Sequence, residues 1–392
     1  MLAARDGRLF LAAQALDAVA IGVSLVALPW LVLRGGGSAA QAGLVYPATI
    51  APYFLFGLTA GVVGDRFPRR AVMLVSHAVQ ASFAAVIPIW SISGMPPFGV
   101  ILAAGFAVGT GRVFVDAAAF GAVAGIVGTE RFMDGQAALS AAWSLGLFAG
   151  PALGGALVGA FGPGFALASE ASALALAALL VASVRASLGQ GVEDTGEPPV
   201  REGLRFMARN HAIATLTAVS AAWNLLGAGT FALEVPLLRD EVDLGSGAVG
   251  VILAFGSLAG FSASLVVGRL TKRFGAPALL VGCYVIAPFA TAALGVAGGF
   301  GVALVGSAVW VLLAGVVSVV VIGERQRRAP ERLQGRVGIA ARMVGLAATA
   351  AGSALASGLT GPMGTRSVFL AMAAATFALG AATAPLLLGL RD

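Results

Sequence analysis

Three charged residues sit where charge is expensive. Asp17 stands about eight residues into a long apolar run, roughly 12 Å deep at 1.5 Å per residue. Arg112 and Asp116 lie four apart in another run, on one face if that run is helical. A charge at the centre of a spanning helix costs about 2.5–3.5 kcal/mol on insertion scales, so each is read first as functional. Arg112 and Asp116 can satisfy each other as a structural pair. Alternatively, Asp17 or Asp116 takes up and releases a proton while Arg112 sets its proton affinity. Asn224 lies deep in a further run and is placed to contact a substrate. Glu234, beside Pro236 and about four residues from a run's end, either joins the same cavity or reaches water with Asp240, Glu241 and Asp243.

Other ionisable groups are read more plainly. Glu170 is expected to make a structural hydrogen bond, and His77 to pack. Glu324 and Arg325 are expected at a solvated helix end. Arg342 either snorkels to the surface or approaches Asp65. Tyr46, Phe114, Trp143, Trp223 and Trp310 either line an apolar cavity or pack. One cysteine, Cys283, and two histidines, His77 and His211, leave no multi-cysteine metal site and little metal chemistry. No Gly-x-x-x-x-Gly-Lys-Ser/Thr phosphate loop occurs, and Lys272 is the only lysine. Neither a metal nor a cofactor is expected, and no catalytic constellation is found.

The elements that must hold these groups follow from composition. Hydrophobic residues make up 59% of the 392, charged residues 11%, and the mean hydropathy is +0.95. Soluble domains carry about 25% charge, so a soluble enzyme is excluded. Twelve runs are long enough to span a bilayer: 9–33, 41–64, 71–93, 97–126, 135–161, 165–185, 211–238, 248–268, 277–298, 301–323, 337–359 and 367–390. The first is read as a retained span and not a signal peptide. Of the 24 basic residues, Arg34, Arg239 and Arg366 fall on one side of such a topology, and Arg112 and Arg342 lie inside runs. The rest fall on the other side. The positive-inside rule makes that side the cytoplasm, with both termini there. The net charge of +6 is therefore topological and does not point to nucleic acid.

Residues 186–210 interrupt the pattern with Gly, Pro and acid, then Leu204, Phe206 and Met207 among Arg201, Arg205 and Arg209. This reads as a linker ending in a short amphipathic helix on the inner membrane surface. The chain is thus expected as a six-helix bundle over 1–185, a cytoplasmic linker over 186–210, and a second six-helix bundle over 211–392. The halves echo each other. Gly61-x-x-x-Asp65-Arg66-Phe67 returns as Gly268-x-x-x-Lys272-Arg273-Phe274. Gly146, Gly159, Gly162 and Pro163 return as Gly345, Gly358, Gly361 and Pro362. Parallel repeats of this kind build secondary transporters.

The link after the second span reads Gly61-Val-Val-Gly-Asp65-Arg66-Phe-Pro68-Arg69-Arg70. It either anchors a cytoplasmic loop or forms a charge latch that is made in one state and broken in another. Here the sequence resembles the major facilitator superfamily, whose signature in this link is Gly-x-x-x-Asp-Arg-x-Gly-Arg-Arg/Lys. Gly61, Asp65, Arg66, Arg69 and Arg70 match, and Pro68 stands where glycine is usual. Gly146-x-x-x-Gly150-Pro151-x-x-Gly154-Gly155 resembles that family's antiporter motif, or serves helix packing alone. Pro151-Ala-Leu-Gly-Gly155, Arg201-Glu-Gly-Leu-Arg-Phe206 and Glu331-Arg-Leu-Gln-Gly-Arg-Val337 are similar to the branch containing bacterial macrolide-efflux proteins and the enterobactin exporter.

The resemblance implies an all-α integral membrane fold of twelve helices in two pseudo-symmetric bundles. It implies alternating access around a cavity of spans 1, 4, 7 and 10, the spans holding Asp17, Arg112, Asp116 and Glu234. The expected function is proton-coupled export of a drug, siderophore or other small lipophilic metabolite. Import of a small organic solute is the alternative within transport, and a non-transporting membrane sensor the alternative outside it. The expected partners are that small molecule, protons and membrane lipid, with the chain acting as a monomer. The near-replacement of lysine by arginine points to a high-GC bacterial genome and hence the cytoplasmic membrane.

Overall fold

A computed structural model describes residues 5–188, 199–330 and 333–389, without the side chains of Asp65, Thr129, Pro199, Val200 and Arg201. Glu331, Arg332 and much of the 186–210 linker lie outside the described residues. The helices are α1 (Arg5–Arg34), α2 (Ala39–Arg66), α3 (Arg69–Trp90), α4 (Phe98–Val127), α5 (Phe132–Phe161), α6 (Pro163–Ser183), α7 (Pro199–Arg209), α8 (His211–Pro236), α9 (Ser246–Phe274), α10 (Ala276–Gly295), α11 (Phe300–Arg328), α12 (Gln334–Met363) and α13 (Thr365–Leu388). All but α7 are long and apolar enough to cross a membrane, which gives the twelve expected spans in the expected order. Several outrun their apolar runs. α11 continues to Arg328, for example, because nothing after Ile322 breaks a helix until Pro330.

Helix ends follow local chemistry. Gly162, at φ 85°, closes α5, and Pro163 opens α6. Gly364, at φ 79°, closes α12 in the same way. Both helices are 30 residues long, so Phe132 corresponds to Gln334 and Gly150 to Gly352. This corrects the pairing of Gly162-Pro163 with Gly361-Pro362, which lie inside α12, three residues out of register. In the corrected register the repeat is physical. A methyl on Gly150 would strike α1 at Val19 and Gly22, and one on Gly352 would strike the α8 backbone at Leu225.

Two compact units emerge. The first comprises Met1–Gly37, Ala48–Gly196 and Val249–Ala254; the second comprises Ser38–Pro47, Glu197–Ala248 and Phe255–Asp392. In the first, Phe10, Met73, Val115, Ala122 and Val181 build a core from α1, α3, α4 and α6. In the second, Leu216, Trp223, Cys283, Tyr284 and Val320 build one from α8, α10 and α11. There the Tyr284 hydroxyl donates to the Val219 carbonyl at 2.7 Å, and Trp223 meets the Tyr284 ring edge-on. Trp223 therefore packs as well as facing a cavity.

The short helix α7 departs from expectation. Of Leu204, Phe206 and Met207, only Leu204 is exposed. Met207 and Phe206 instead pack on Leu333, Val337 and Ala340, at the start of α12. Gly203 lies against the Arg336–Val337 backbone, and Glu202 pairs with Arg336. The apolar face finds protein before it finds lipid.

Candidate functional site

The first unit gathers its polar side chains into one buried cluster. Arg112 projects from α4 with Nη1 2.5 Å from Asp17 Oδ2 on α1, and both side chains are buried. The same Nη1 donates to the Asp17 carbonyl at 3.3 Å. Arg112 Nε donates to Asp116 Oδ1 at 3.1 Å, the expected i,i+4 contact. The Tyr53 hydroxyl of α2 donates to Asp116 Oδ2 at 2.7 Å. Trp143 of α5 lies over the guanidinium, 4.5 Å from ring centroid to Cζ. Four helices thus contribute to one arginine's surroundings.

His77 also belongs here. Its Nδ1 lies 3.8 Å from Asp17 Oδ1, and it is fully buried. It is packed beside Asp17 without a hydrogen bond to it. Gln14 and Gln80 are buried too, each three residues from Asp17 or His77 on the same helix. Among the described residues, Gln14 Nε2, both His77 nitrogens, Gln80 Nε2 and Arg112 Nη2 find no hydrogen bond of good geometry. The cluster holds two carboxylates and one guanidinium with spare donors around them. That arrangement can rearrange its pairing without leaving the unit.

Glycine sets the distances. A methyl on Gly111 would lie 2.6 Å from Gln80 Cγ and 2.9 Å from the Ser76 carbonyl, so α3 approaches α4 only because residue 111 lacks a side chain. On the other side, Gly146, Gly150 and Gly154 of α5 form a bare strip. Methyls there would meet Ala18 at 2.5 Å, Gly22 at 2.7 Å and Val23 at 2.8 Å. Pro151 seats its ring on Gly22, and Gly155 faces Gly250 in the same unit. The packing reading of this motif is thus realised, and it fixes the helix that carries Asp17.

In the link after α2, Gly64 is buried beside Ala117, but no atom stands within 4 Å of a methyl on Gly61. Close packing is not what Gly61 provides here. The Asp65 side chain lies outside the described residues, and Arg66 is exposed. Arg69 Nη1 donates to the Gly121 carbonyl at 3.2 Å and the Leu188 carbonyl at 3.5 Å. Arg70 donates to the Ala182 carbonyl. Both arginines bond backbone carbonyls within the first unit.

In the second unit, Asn224 Nδ2 donates to the Gly345 carbonyl of α12 at 3.4 Å. Glu234 is buried next to Ser307 of α11 and does not reach water. Glu324 and Arg325 are also buried, at 7% and 9% exposure. This overturns the solvated helix end, because α12 covers the last turns of α11. Glu170 sits buried in the first unit with the Ser24 hydroxyl donating to it, as expected. Of the predicted site residues, Asp17 and Arg112 are buried and Asp116 part-buried in one unit, and Glu234 is buried in the other. Sequence reasoning missed Gln14, Tyr53 and Gln80; the two glutamines lie three residues from Asp17 and His77, and Tyr53 carries no such spacing.

The multidrug efflux pump Tap of Mycobacterium tuberculosis (strain ATCC 25618 / H37Rv) is 32% identical over 228 residues, 53% of this chain and 52% of that protein. The chain thus spans about half the length of that curated relative. Tap of Mycolicibacterium fortuitum is 26% identical over 387 residues, 92% of this chain and 90% of that protein. The solved nucleoside transporter NupG superposes with a TM-score of 0.84 at 11% identity, covering 99% of this chain and 100% of that one, a likeness of fold alone. Residues 10–353 match the Major Facilitator Superfamily, and the chain belongs to that family of multi-pass membrane transporters.

Proposed function

We propose that this transporter exports a drug-like or other small lipophilic molecule in exchange for protons, by alternating access. The observation that carries the reading is the Asp17–Arg112–Asp116 network, in which one buried cation is shared between two acids on different helices, Asp17 buried and Asp116 part-buried. A proton delivered to Asp17 cancels one of the two attractions on Arg112. The guanidinium then rests on Asp116 alone, and the tie between α1 and α4 loosens. Loss of the proton restores it. A cycle of this kind converts a proton gradient into a change of helix packing. The names of the Tap relatives support export of drugs.

The rest of the reading follows the family. Residues 1–185 and 211–392 act as two bundles joined by the 186–210 linker. Gly61, Asp65, Arg66, Arg69 and Arg70 serve as the latch between states, and Gly146, Gly150, Pro151, Gly154 and Gly155 as the export-type packing motif. Asn224 and Glu234 face the transported molecule. The chain works as a monomer in a bacterial cytoplasmic membrane, with both termini in the cytoplasm.

The test is dye efflux from cells expressing the protein. A fluorescent lipophilic dye should leave faster than in control cells, and an uncoupler should abolish the gain. Asp17→Asn and Asp116→Asn should each remove the uncoupler-sensitive part while the purified protein stays folded. Full efflux by both variants under a pH gradient overturns the proton role. Unchanged dye retention in the wild type overturns export of this class.

A further inference from the structure

The second unit holds a cavity of about 360 Å³ that the acid–arginine cluster does not touch. It lies between the later half of α11, the first half of α12 and the middle of α8. Its volume falls in the range of small-molecule sites, roughly 300–1,000 Å³. Two arginines line it, Arg325 and Arg342, and among the described residues no Asp or Glu does. Among the described residues, two other acids of this unit have their own arginine partners. Glu324 Oε2 accepts from Arg327 at 2.8 Å and also from Arg328, and Glu202 pairs with Arg336.

Arg325 is the informative residue. It is 9% exposed, and its Nε finds no hydrogen-bond partner among the described residues. A guanidinium held out of water with an idle donor is unfavourable unless an anion meets it. Its planar fork of donors matches a carboxylate or phosphate. Asn224, Gln326, Gln334 and Thr349 add neutral polar groups to the lining. Trp223, Val317 and Leu346 add an apolar wall. The site is therefore amphipathic, cationic on one side and greasy on the other.

We propose that this cavity binds an amphipathic organic anion, with its carboxylate or phosphate on Arg325 and Arg342 and its apolar body against Trp223, Val317 and Leu346. The two arginines disfavour an organic cation at the same place. A free solute and the headgroup of an anionic lipid supply the same chemistry. The proposal rests on the export reading for the anion's fate, but not for its binding, so the test measures binding without transport.

The experiment uses the full chain in nanodiscs. In pure phosphatidylcholine discs, 1-naphthaleneacetate is titrated against protein tryptophan fluorescence, with the neutral 1-naphthaleneacetamide as control. The acid should bind and the amide should not. Arg325→Gln should weaken the acid at least tenfold, and Arg325→Lys, which keeps the charge, by less. Ala314→Leu, which fills the lining without touching charge, should also weaken it and covers the case in which Arg325→Gln does not fold. In a second arm the discs contain phosphatidylglycerol. If this lipid competes with naphthaleneacetate and raises the melting midpoint of the wild type but not of Arg325→Gln, the anion is a lipid headgroup. If it does neither, the anion is a solute. Equal binding of acid and amide, or binding unaffected by Arg325→Gln and Ala314→Leu together, overturns the proposal. So does an absence of Arg325-dependent binding in both arms. Export of a dye proceeds or fails independently of these results.

Discussion

Arg112 and Asp17 form an ion pair at 2.5 Å between α4 and α1, with neither side chain in contact with solvent. Arg112 also serves Asp116, so it balances two acids, whereas each acid answers to one cation. The consequences of removing them are unequal. Arg112→Gln leaves the buried Asp17 and the part-buried Asp116 carboxylates without their counter-charge, a loss of about 3–5 kcal/mol for the broken buried pair. Asp17→Asn leaves Arg112 still paired with Asp116 and should lower the thermal midpoint in detergent by much less. The double variant Asp17→Asn/Arg112→Gln should recover part of the Arg112→Gln loss. A midpoint for Asp17→Asn as low as that for Arg112→Gln contradicts this arrangement.

Tyr53 bonds the far oxygen of Asp116 at 2.7 Å, and it is a neutral residue in an apolar helix. Tyr53→Phe keeps the ring and deletes the donor. A hydrogen bond to a charged group is worth about 1.5–3 kcal/mol, so the variant should melt measurably earlier. It should also slow proton-driven dye efflux more than uncoupled leak. An unchanged midpoint together with unchanged efflux removes Tyr53 from the cluster's function.

The glycine strip on α5 yields a sharp contrast. Gly150→Ala puts a methyl 2.7 Å from the Gly22 Cα and the Val19 carbonyl, so helix backbones must part. Overpacking of this kind costs about 1–3 kcal/mol. Gly61→Ala meets no atom within 4 Å and should gain up to about 1 kcal/mol from helix propensity. Thermal unfolding of the two single variants should move in opposite directions.

Helix α7 is held by Gly203 against the Arg336–Val337 backbone and by Met207 among α12 side chains. Gly203→Val should lift α7 away from α12. Limited proteolysis should then cleave between residues 186 and 210 several-fold faster than in the wild type. Equal cleavage rates argue that α7 docks without that contact.

What was legible in the sequence and what was not follows from how each feature is encoded. Asp17, Arg112 and Asp116 stood out because charge in an apolar run is rare and expensive. The i,i+4 spacing also named the Arg112–Asp116 pair correctly. That Arg112 turns toward Asp17 as well depends on the rotation of two helices, which spacing does not encode. Gln14, Tyr53 and Gln80 are neutral, and a neutral polar side chain in a span carries little signal. Arg325 was misread because it lies near a helix end, where solvent is the default. Its burial comes from α12, a tertiary cover. The repeat was recognised, but glycine is so frequent that Gly162 was matched to Gly361 and not to Gly364. Only the backbone, with φ positive at Gly162 and Gly364, sets that register.

The chain's only cysteine, Cys283, is sealed in the second unit's core beside Tyr284. A thiol-directed reagent added to the folded protein should leave it alone. The natural chain is therefore close to a ready-made background for paired spin labels or fluorophores, introduced as cysteines at exposed sites such as Phe161 and Phe274. Distances between such labels, recorded with and without a pH gradient, would read the transport cycle directly without first rebuilding the protein.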